Sequence, residues 1–259
     1  MSLYTEIIAD APQHYWRFAD PGGVQAVDIG SASVRPAFDV TLGGLPYSGP
    51  SSDGGSAIRQ DTNAQHIRIN EAFFPLVQPF SVEIWWYLSQ IDGDCQILET
   101  LEPTGSSRMG FRCHLASPHT MLTYHTQGWS FSGTASNALN TWHQSVITYD
   151  HVNARLYSDG AADGVQNVVF TPSTPARIYV GNDSSNAGLC FGNFSELALY
   201  STALSAARIL AHWNAADQST LRPYYKGGGL YPTAAFGTTP LSQQIVDLTP
   251  YVQRTFPTP

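Results

Sequence analysis

A carboxylate set among large aromatics at alternate positions is the first arrangement in this chain that could do chemistry. It is Glu83 with Trp85 and Tyr87, inside Phe80-Ser81-Val82-Glu83-Ile84-Trp85-Trp86-Tyr87-Leu88. Alternate residues of a β-strand share a face. If Val82, Ile84, Trp86 and Leu88 face a core, the other three occupy the opposite side, where rings can stack on a sugar and the carboxylate can accept hydroxyl hydrogen bonds. The competing reading is that other parts of the chain cover this side, because large aromatics are mostly buried. Glycoside hydrolysis needs a second, matched carboxylate. Glu83 stands alone on its segment, and Asp92 and Asp94 flank a glycine in a turn. There is no G-x-S-x-G elbow, no H-E-x-x-H and no Gly-rich phosphate loop between strand and helix. Cys113, His114, His119 and His125 are close in sequence, but their spacing fits no zinc pattern and a strand-turn-strand reading sends them in different directions. These residues imply binding without a catalytic set.

The elements that must position them are short strands. Strand-like segments recur from Tyr15 to Tyr200, separated by Gly/Pro/Ser/Asp clusters such as Gly43-Gly44-Leu45-Pro46 and Ser51-Ser52-Asp53-Gly54-Gly55, as in antiparallel sandwiches. The clearest unit is Trp142 to Gly160: two alternating strands around the polar turn Asp150-His151-Val152-Asn153, closed by Asp159-Gly160. One helix is expected over Ala206 to Ala215, with Ser205 as N-cap and Ile209, Leu210 and Trp213 at helical spacing. Ser2 to Ala9 could add a turn or two. After Ser219 the periodicity ends. Residues 221–259 carry six prolines (Pro223, Pro232, Pro240, Pro250, Pro257 and Pro259), a Gly227-Gly228-Gly229 run and scattered aromatics, a composition that cannot build its own core.

The chain of 259 residues can bury a sizeable core. A net charge of −8 argues against nucleic acid as a partner. No apolar run approaches the length of a membrane span, so membrane insertion is not expected. The cations are nearly all arginine, with Lys226 the sole lysine. Three cysteines, Cys95, Cys113 and Cys190, are an odd number without C-x-x-C spacing, which argues against a disulfide framework or structural zinc. No charged and apolar leader follows Met1, so synthesis and folding in a cytosol are expected.

Several of these segments resemble laminin-G-like domains of the concanavalin A-like jelly-roll group. The hairpin Trp142-His143…Tyr149-Asp150…Tyr157-Ser158-Asp159-Gly160 is one match. Pro12-Gln13-His14-Tyr15-Trp16-Arg17 is similar to the opening strand, and Ala26-Val27-Asp28-Ile29-Gly30-Ser31 to the turn behind it. Phe80 to Leu88 resembles the central strand, Ile178 to Asn182 and Phe191 to Tyr200 the closing strands, and Ala203-Leu204-Ser205 the helix start. The resemblance implies an all-β, two-sheet antiparallel sandwich over 1–218, with one short C-terminal helix, followed by an extended arm over 219–259. It also implies a structural calcium at Asp28 and Glu196, although Ser195 stands where the family has an aspartate and the turn glycine is shifted, which removes a hard oxygen ligand.

The opening residues are similar to laminin-G-like modules of tailed-bacteriophage structural proteins. That implies a non-catalytic virion subunit (capsid decoration or tail-associated), forming a homo-oligomer with itself and other virion subunits and touching host glycans. The alternatives are a stand-alone carbohydrate-binding module and a degenerate glycoside hydrolase. In the virion reading the arm docks on a neighbouring subunit through Tyr224, Tyr225, Tyr231, Phe236, Tyr251 and Phe256, since aromatics gain most area in a groove. Deleting residues 221–259 is expected to leave a folded sandwich that elutes as a monomer on size exclusion; normal assembly of the truncated chain would contradict the arm's role.

Overall fold

In the computed structural model of the protein, the described residues are 1–18, 26–31, 47–50, 56–60, 67–69, 78–91, 95–101, 108–113, 120–125, 129–167, 177–182 and 189–216. The chain divides into Met1–Tyr224 and Tyr225–Pro259. The arm expected over 219–259, with Tyr224, Tyr225, Tyr231, Phe236, Tyr251 and Phe256, lies outside the described residues, as do Asp92, Asp94, His114 and His119.

In chain order the elements are α1 (Leu3–Ala9), β1 (His14–Trp16), β2 (Tyr47–Ser48), β3 (Ser56–Gln60), β4 (Ile67–Ile69), β5 (Phe80–Ile91), β6 (Cys95–Leu101) and β7 (Arg108–Cys113). They continue with β8 (Thr120–His125), β9 (Trp129–Ser136), β10 (Trp142–Tyr149), β11 (Asn153–Ser158), β12 (Ala161–Asn167), β13 (Arg177–Val180), β14 (Cys190–Tyr200) and α2 (Ala206–Ala215). They form the expected two-sheet antiparallel sandwich. The eight-stranded sheet runs β12-β11-β10-β5-β14-β3-β2, with β1 also on β14, and the six-stranded sheet runs β4-β13-β6-β7-β8-β9.

Alternation along β5 sets two apolar layers. Phe80, Val82, Ile84, Trp86 and Leu88 pack between the sheets against Ile67, Ile69, Ile97, Ile178, Val180 and Leu156. Trp85 and Tyr87 point the other way, into a second layer with Leu3 and Ile7 of α1 and Ile209 of α2. Leu156 thus lies in the main core, whereas Trp142 belongs to the layer under the helices and rests on Tyr87, with ring centroids 5.9 Å apart. Both helices start on serine caps: Ser2 Oγ accepts from Thr5 N and Ser205 Oγ from Arg208 N, each at 3.3 Å.

Local chemistry fixes the β10–β11 hairpin. Asp150 accepts from the Val152 and Asn153 amides at 3.0 and 2.8 Å, and His151 takes the left-handed conformation with φ 77°. The Arg155 guanidinium, hydrogen-bonded to Asp150, holds that carboxyl down at about 2. At the far end Gly160 has φ +77° and lies beneath α2, where an added Cβ would come within 2.8 Å of Trp213 Cβ. The sheets are tied along one side by Asp163 of β12, which accepts from the β9 amides of Thr134 and Ala135 at 2.6 and 2.7 Å.

One expectation is corrected. Cys95 and Cys190 form a disulfide with Cα atoms 4.9 Å apart. An odd count excludes only complete pairing, not a single bridge. The two residues open β6 and β14, which belong to different sheets, and the fold brings those strand starts together across the core. A bridge 95 residues apart in sequence removes substantial loop entropy from the unfolded chain. Reduction with dithiothreitol is therefore expected to lower unfolding stability by about 2–5 kcal/mol, read by denaturant titration with and without reductant.

Candidate functional site

Glu83 and Trp85 are fully buried and Tyr87 nearly so. The alternation expected for β5 is present, but the side opposite the core is roofed by α1 and α2. These three residues therefore cannot offer a sugar-stacking platform, which corrects the expectation for them. Glu83 is instead the centre of a buried polar hub. Its Oε1 accepts from Trp85 Nε1 at 3.1 Å and Gln144 Nε2 at 2.7 Å, and its Oε2 from the Tyr200 hydroxyl at 3.1 Å and His212 Nδ1 at 2.8 Å.

The hub reaches the surface through the helices. The second ring nitrogen of His212 lies 2.9 Å from Asp10 Oδ2, close enough for charge attraction although not aligned for a hydrogen bond. Arg208, one turn earlier on α2, donates to Asp10 at 2.9 and 3.0 Å and to Glu6 Oε2 at 2.8 Å. Burial pushes Glu83 up, yet the charge and hydrogen bond of His212, with the bonds from Gln144 and Trp85, hold it below its ordinary 4.5. Burial pushes His212 down, and the charge and hydrogen bond of Glu83, then Asp10, outweigh that and raise it above 6.5. Tyr200, buried beside Glu83, is raised well above its usual range.

Asp28 and Glu196, expected as calcium ligands, sit on different partners. Asp28 accepts from His14 Nδ1 at 2.7 Å, Tyr15 N at 2.8 Å and Gly30 N at 2.9 Å. Glu196 has φ 49° within the register shift between Ser195 and Ala198. Its carboxylate accepts from the Tyr15 hydroxyl and from Arg17 Nη2, the latter at 3.2 Å. Burial, then the Glu196 charge, raises Tyr15 far above its ordinary value. N–H and O–H donors pointing at both carboxylates suit a hydrogen-bonded corner, and a hard cation would have to displace them. Among the described residues no three His, Cys, Asp or Glu side chains cluster as a metal site would require.

The other sheet carries a different surface. On β4 and β13, Ile67, Ile69, Ile178 and Val180 face the core, so Arg68, Arg177 and Tyr179 lie on the outer side. Register aligns Arg68 with Tyr179, Tyr179 with Glu99, Glu99 with Gly110, Gly110 with Tyr124, and Tyr124 with Ser130, one row across all six strands. Tyr179 and Glu99 are buried and Arg177 is exposed. Beside them Gln96 donates to Leu98 O at 2.6 Å across a β6 bulge. Both described helices pack on the opposite sheet. Of this row's neighbours on the outer side, Arg177 is the exposed group, with a guanidinium that can donate to hydroxyl or carboxylate oxygens. Residue types alone do not reveal this row, although the polar residues alternating with isoleucines in Ile67-Arg68-Ile69 and Arg177-Ile178-Tyr179 are its signal.

The architecture, with one roofed sheet and one polar outer face, is that of the lectin-like sandwiches. A laminin-G-type model of the concanavalin A-like lectin/glucanases superfamily matches residues 61–210, more than half of the chain. The chain belongs to this family. No curated protein sequence matches it. Among solved structures, domain 4 of AbnA, an extracellular arabinanase from Geobacillus stearothermophilus, is 14% identical with a TM-score of 0.58, over 78% of this chain and 97% of that one. The receptor binding domain of botulinum neurotoxin D is 14% identical with a TM-score of 0.57, over 80% of this chain and 53% of that one. Trypanosoma rangeli sialidase is 12% identical with a TM-score of 0.56, over 77% of this chain and 32% of that one. The chain thus spans about a third of the sialidase and half of the toxin chain, and identities this low show a shared fold alone. Among the described residues no helix is long and apolar enough to cross a membrane.

The hub has a pH signature. The stability His212 contributes is complete below its ordinary 6.5 and is lost as pH rises through its raised folded value. That of Glu83 is complete above 4.5 and is lost as pH falls through its lowered folded value. His212→Ala strands a buried carboxylate and is expected to cost about 3–5 kcal/mol. Measured by urea unfolding across pH, the deficit should be largest between 4.5 and 6.5 and shrink on either side. A pH-independent deficit would show that the pair is not ionised in the folded protein.

Proposed function

We propose that this protein is a non-catalytic glycan-binding module whose ligand face is the outer side of the six-stranded sheet. The observation that carries this reading is the outer side of the six-stranded sheet, which neither described helix covers and on which Arg177 is exposed. Similar sandwiches were solved with sugars: the arabinanase domain in complex with arabinotriose, and the botulinum neurotoxin D ligand binding domain with N-acetylneuraminic acid. Catalysis by Glu83 is disfavoured because both carboxylate oxygens already accept two donors each, leaving no lone pair for attack or proton transfer.

The virion setting rests on the sequence resemblance and on the arm over 219–259. The Cys95–Cys190 bridge is compatible with it, since disulfides persist on particles and surfaces outside the reducing cytosol. It fits equally a module displayed on a cell or secreted.

A glycan array, followed by calorimetry on each glycan bound, tests the reading. Truncating an arginine at a binding hot spot commonly costs more than 1 kcal/mol, so Arg177→Ala should weaken binding about tenfold. An unchanged far-UV spectrum would show that the variant is folded, and Glu83→Gln should leave affinity unaltered if it stays folded. Absence of any bound glycan, or affinity indifferent to Arg177, would refute the proposal.

A further inference from the structure

The strands that end the two sheets differ in how they are protected. Among the described strands β9 has eight residues, β12 seven, β4 three and β2 two. A long end strand without charges invites pairing with another chain, and folded proteins blunt such edges with charges, prolines or short length. β9, Trp129-Ser130-Phe131-Ser132-Gly133-Thr134-Ala135-Ser136, contains no Asp, Glu, Lys, Arg or Pro. The longest end strand therefore has no such device of its own.

β12 supplies one. Gly164 is in register with Leu156 and Ala162 with Tyr157, so Asp163 is the extra residue of a bulge, an irregularity that re-aims a side chain. β9 bulges as well. Ser132 is in register with Leu122 and Ser136 with Thr120, which leaves Gly133, Thr134 and Ala135 opposite Met121 alone. Asp163 Oδ1 accepts from Thr134 N at 2.6 Å, from Ala135 N at 2.7 Å and from the Thr134 hydroxyl at 3.3 Å. Gly133 makes room for the carboxylate, since a Cβ there would overlap Oδ2. Oδ2 is buried and has no hydrogen-bond partner among the described residues. The contact therefore leaves one oxygen unsatisfied, at a cost in free energy, while the other closes two successive amides of the edge.

From this arrangement we infer that Asp163 is a guard that keeps β9 from pairing with a second copy of this chain. The occupant follows from the edge itself. β9 of another molecule presents the same uncharged strand, and two identical edges can pair antiparallel about a two-fold axis, each satisfying the other's amides. Such pairing closes at two copies, because each has a single β9, and it would run two six-stranded sheets into one. With Asp163 in place, its carboxylate stands where the carbonyls of the incoming strand would have to lie, and the Thr134 and Ala135 amides are already engaged. The inference is independent of glycan binding.

The test is the mass of the full chain in solution, read by light scattering over a concentration series. Asp163→Ala frees both amides and should double the mass of the wild-type species as concentration rises. Gly133→Ala should do the same while keeping the carboxylate, because the new Cβ takes the place of Oδ2. Gly133 is not among the residues of positive φ, so its backbone accepts alanine. Ser132→Lys, at an exposed position of β9, puts a charge on the edge. Added to Asp163→Ala, it should return the mass to the wild-type value. Far-UV spectra establish that each variant is folded. Folded Asp163→Ala and Gly133→Ala that both keep the wild-type mass would overturn the inference, as would a doubling that Ser132→Lys leaves untouched. Failure of both variants to fold would overturn it too, since the contact would then be a requirement of folding rather than a guard.

Discussion

Removing a carboxylate from water costs several kcal/mol even after the protein relaxes, and Glu83 is fully buried in the centre of the eight-stranded sheet. It can exist there only because four elements converge on it: β5 with Trp85, β10 with Gln144, β14 with Tyr200 and α2 with His212. His212 in turn needs Asp10 at the end of α1, and Arg208 bridges Asp10 to Glu6. The requirement to satisfy one charge thus determines where both helices sit. Gln144 extends the constraint to the hairpin, since its Oε1 accepts from Gly160 N at 3.1 Å and seats the tight turn under Trp213. Trp213 then stacks on Trp85 at 5.4 Å, so aromatic packing and ionic pairing fix the same helix.

Much of this fold was legible along the chain because strands write their faces into neighbouring residues. The period of two in Val82 to Leu88 correctly separated the two layers of β5, and Ser205 with its apolar spacing correctly marked α2. Local patterns cannot say what comes to lie on a face. Three of the four partners of Glu83 are 61, 117 and 129 residues away, so the same Glu83-x-Trp85-x-Tyr87 string reads as a sugar platform or as the seat of a helix. Distance in sequence hid the disulfide for the same reason. Nothing near Cys95 or Cys190 shows that β6 and β14 start side by side. Trp142 shows the same limit: its type points to burial, but that it lies under the helices rather than between the sheets requires the register with Tyr87.

The two sheets divide the work of the domain. The outer side of the eight-stranded sheet spends its polar groups on internal satisfaction, and the Asp28 and Glu196 corner does the same around β1. Tyr15 joins these regions, giving its amide to Asp28 and its hydroxyl to Glu196 while its ring packs in the layer below the helices. One side is closed in this manner, while neither described helix packs on the six-stranded sheet. Family membership does not distinguish these sides; the positions of the two helices do.

Since Arg208 of α2 is bonded to Glu6 and Asp10 of α1, the first and last helices of the sandwich are held against one another, although 196 residues separate Asp10 from Ala206. A fold whose ends meet is a closed cassette. It can be spliced into a surface loop of a host protein without stretching that loop, and its chain can be reopened elsewhere once a short bridge joins the ends. The clasp that keeps Glu83 satisfied therefore also makes the module portable.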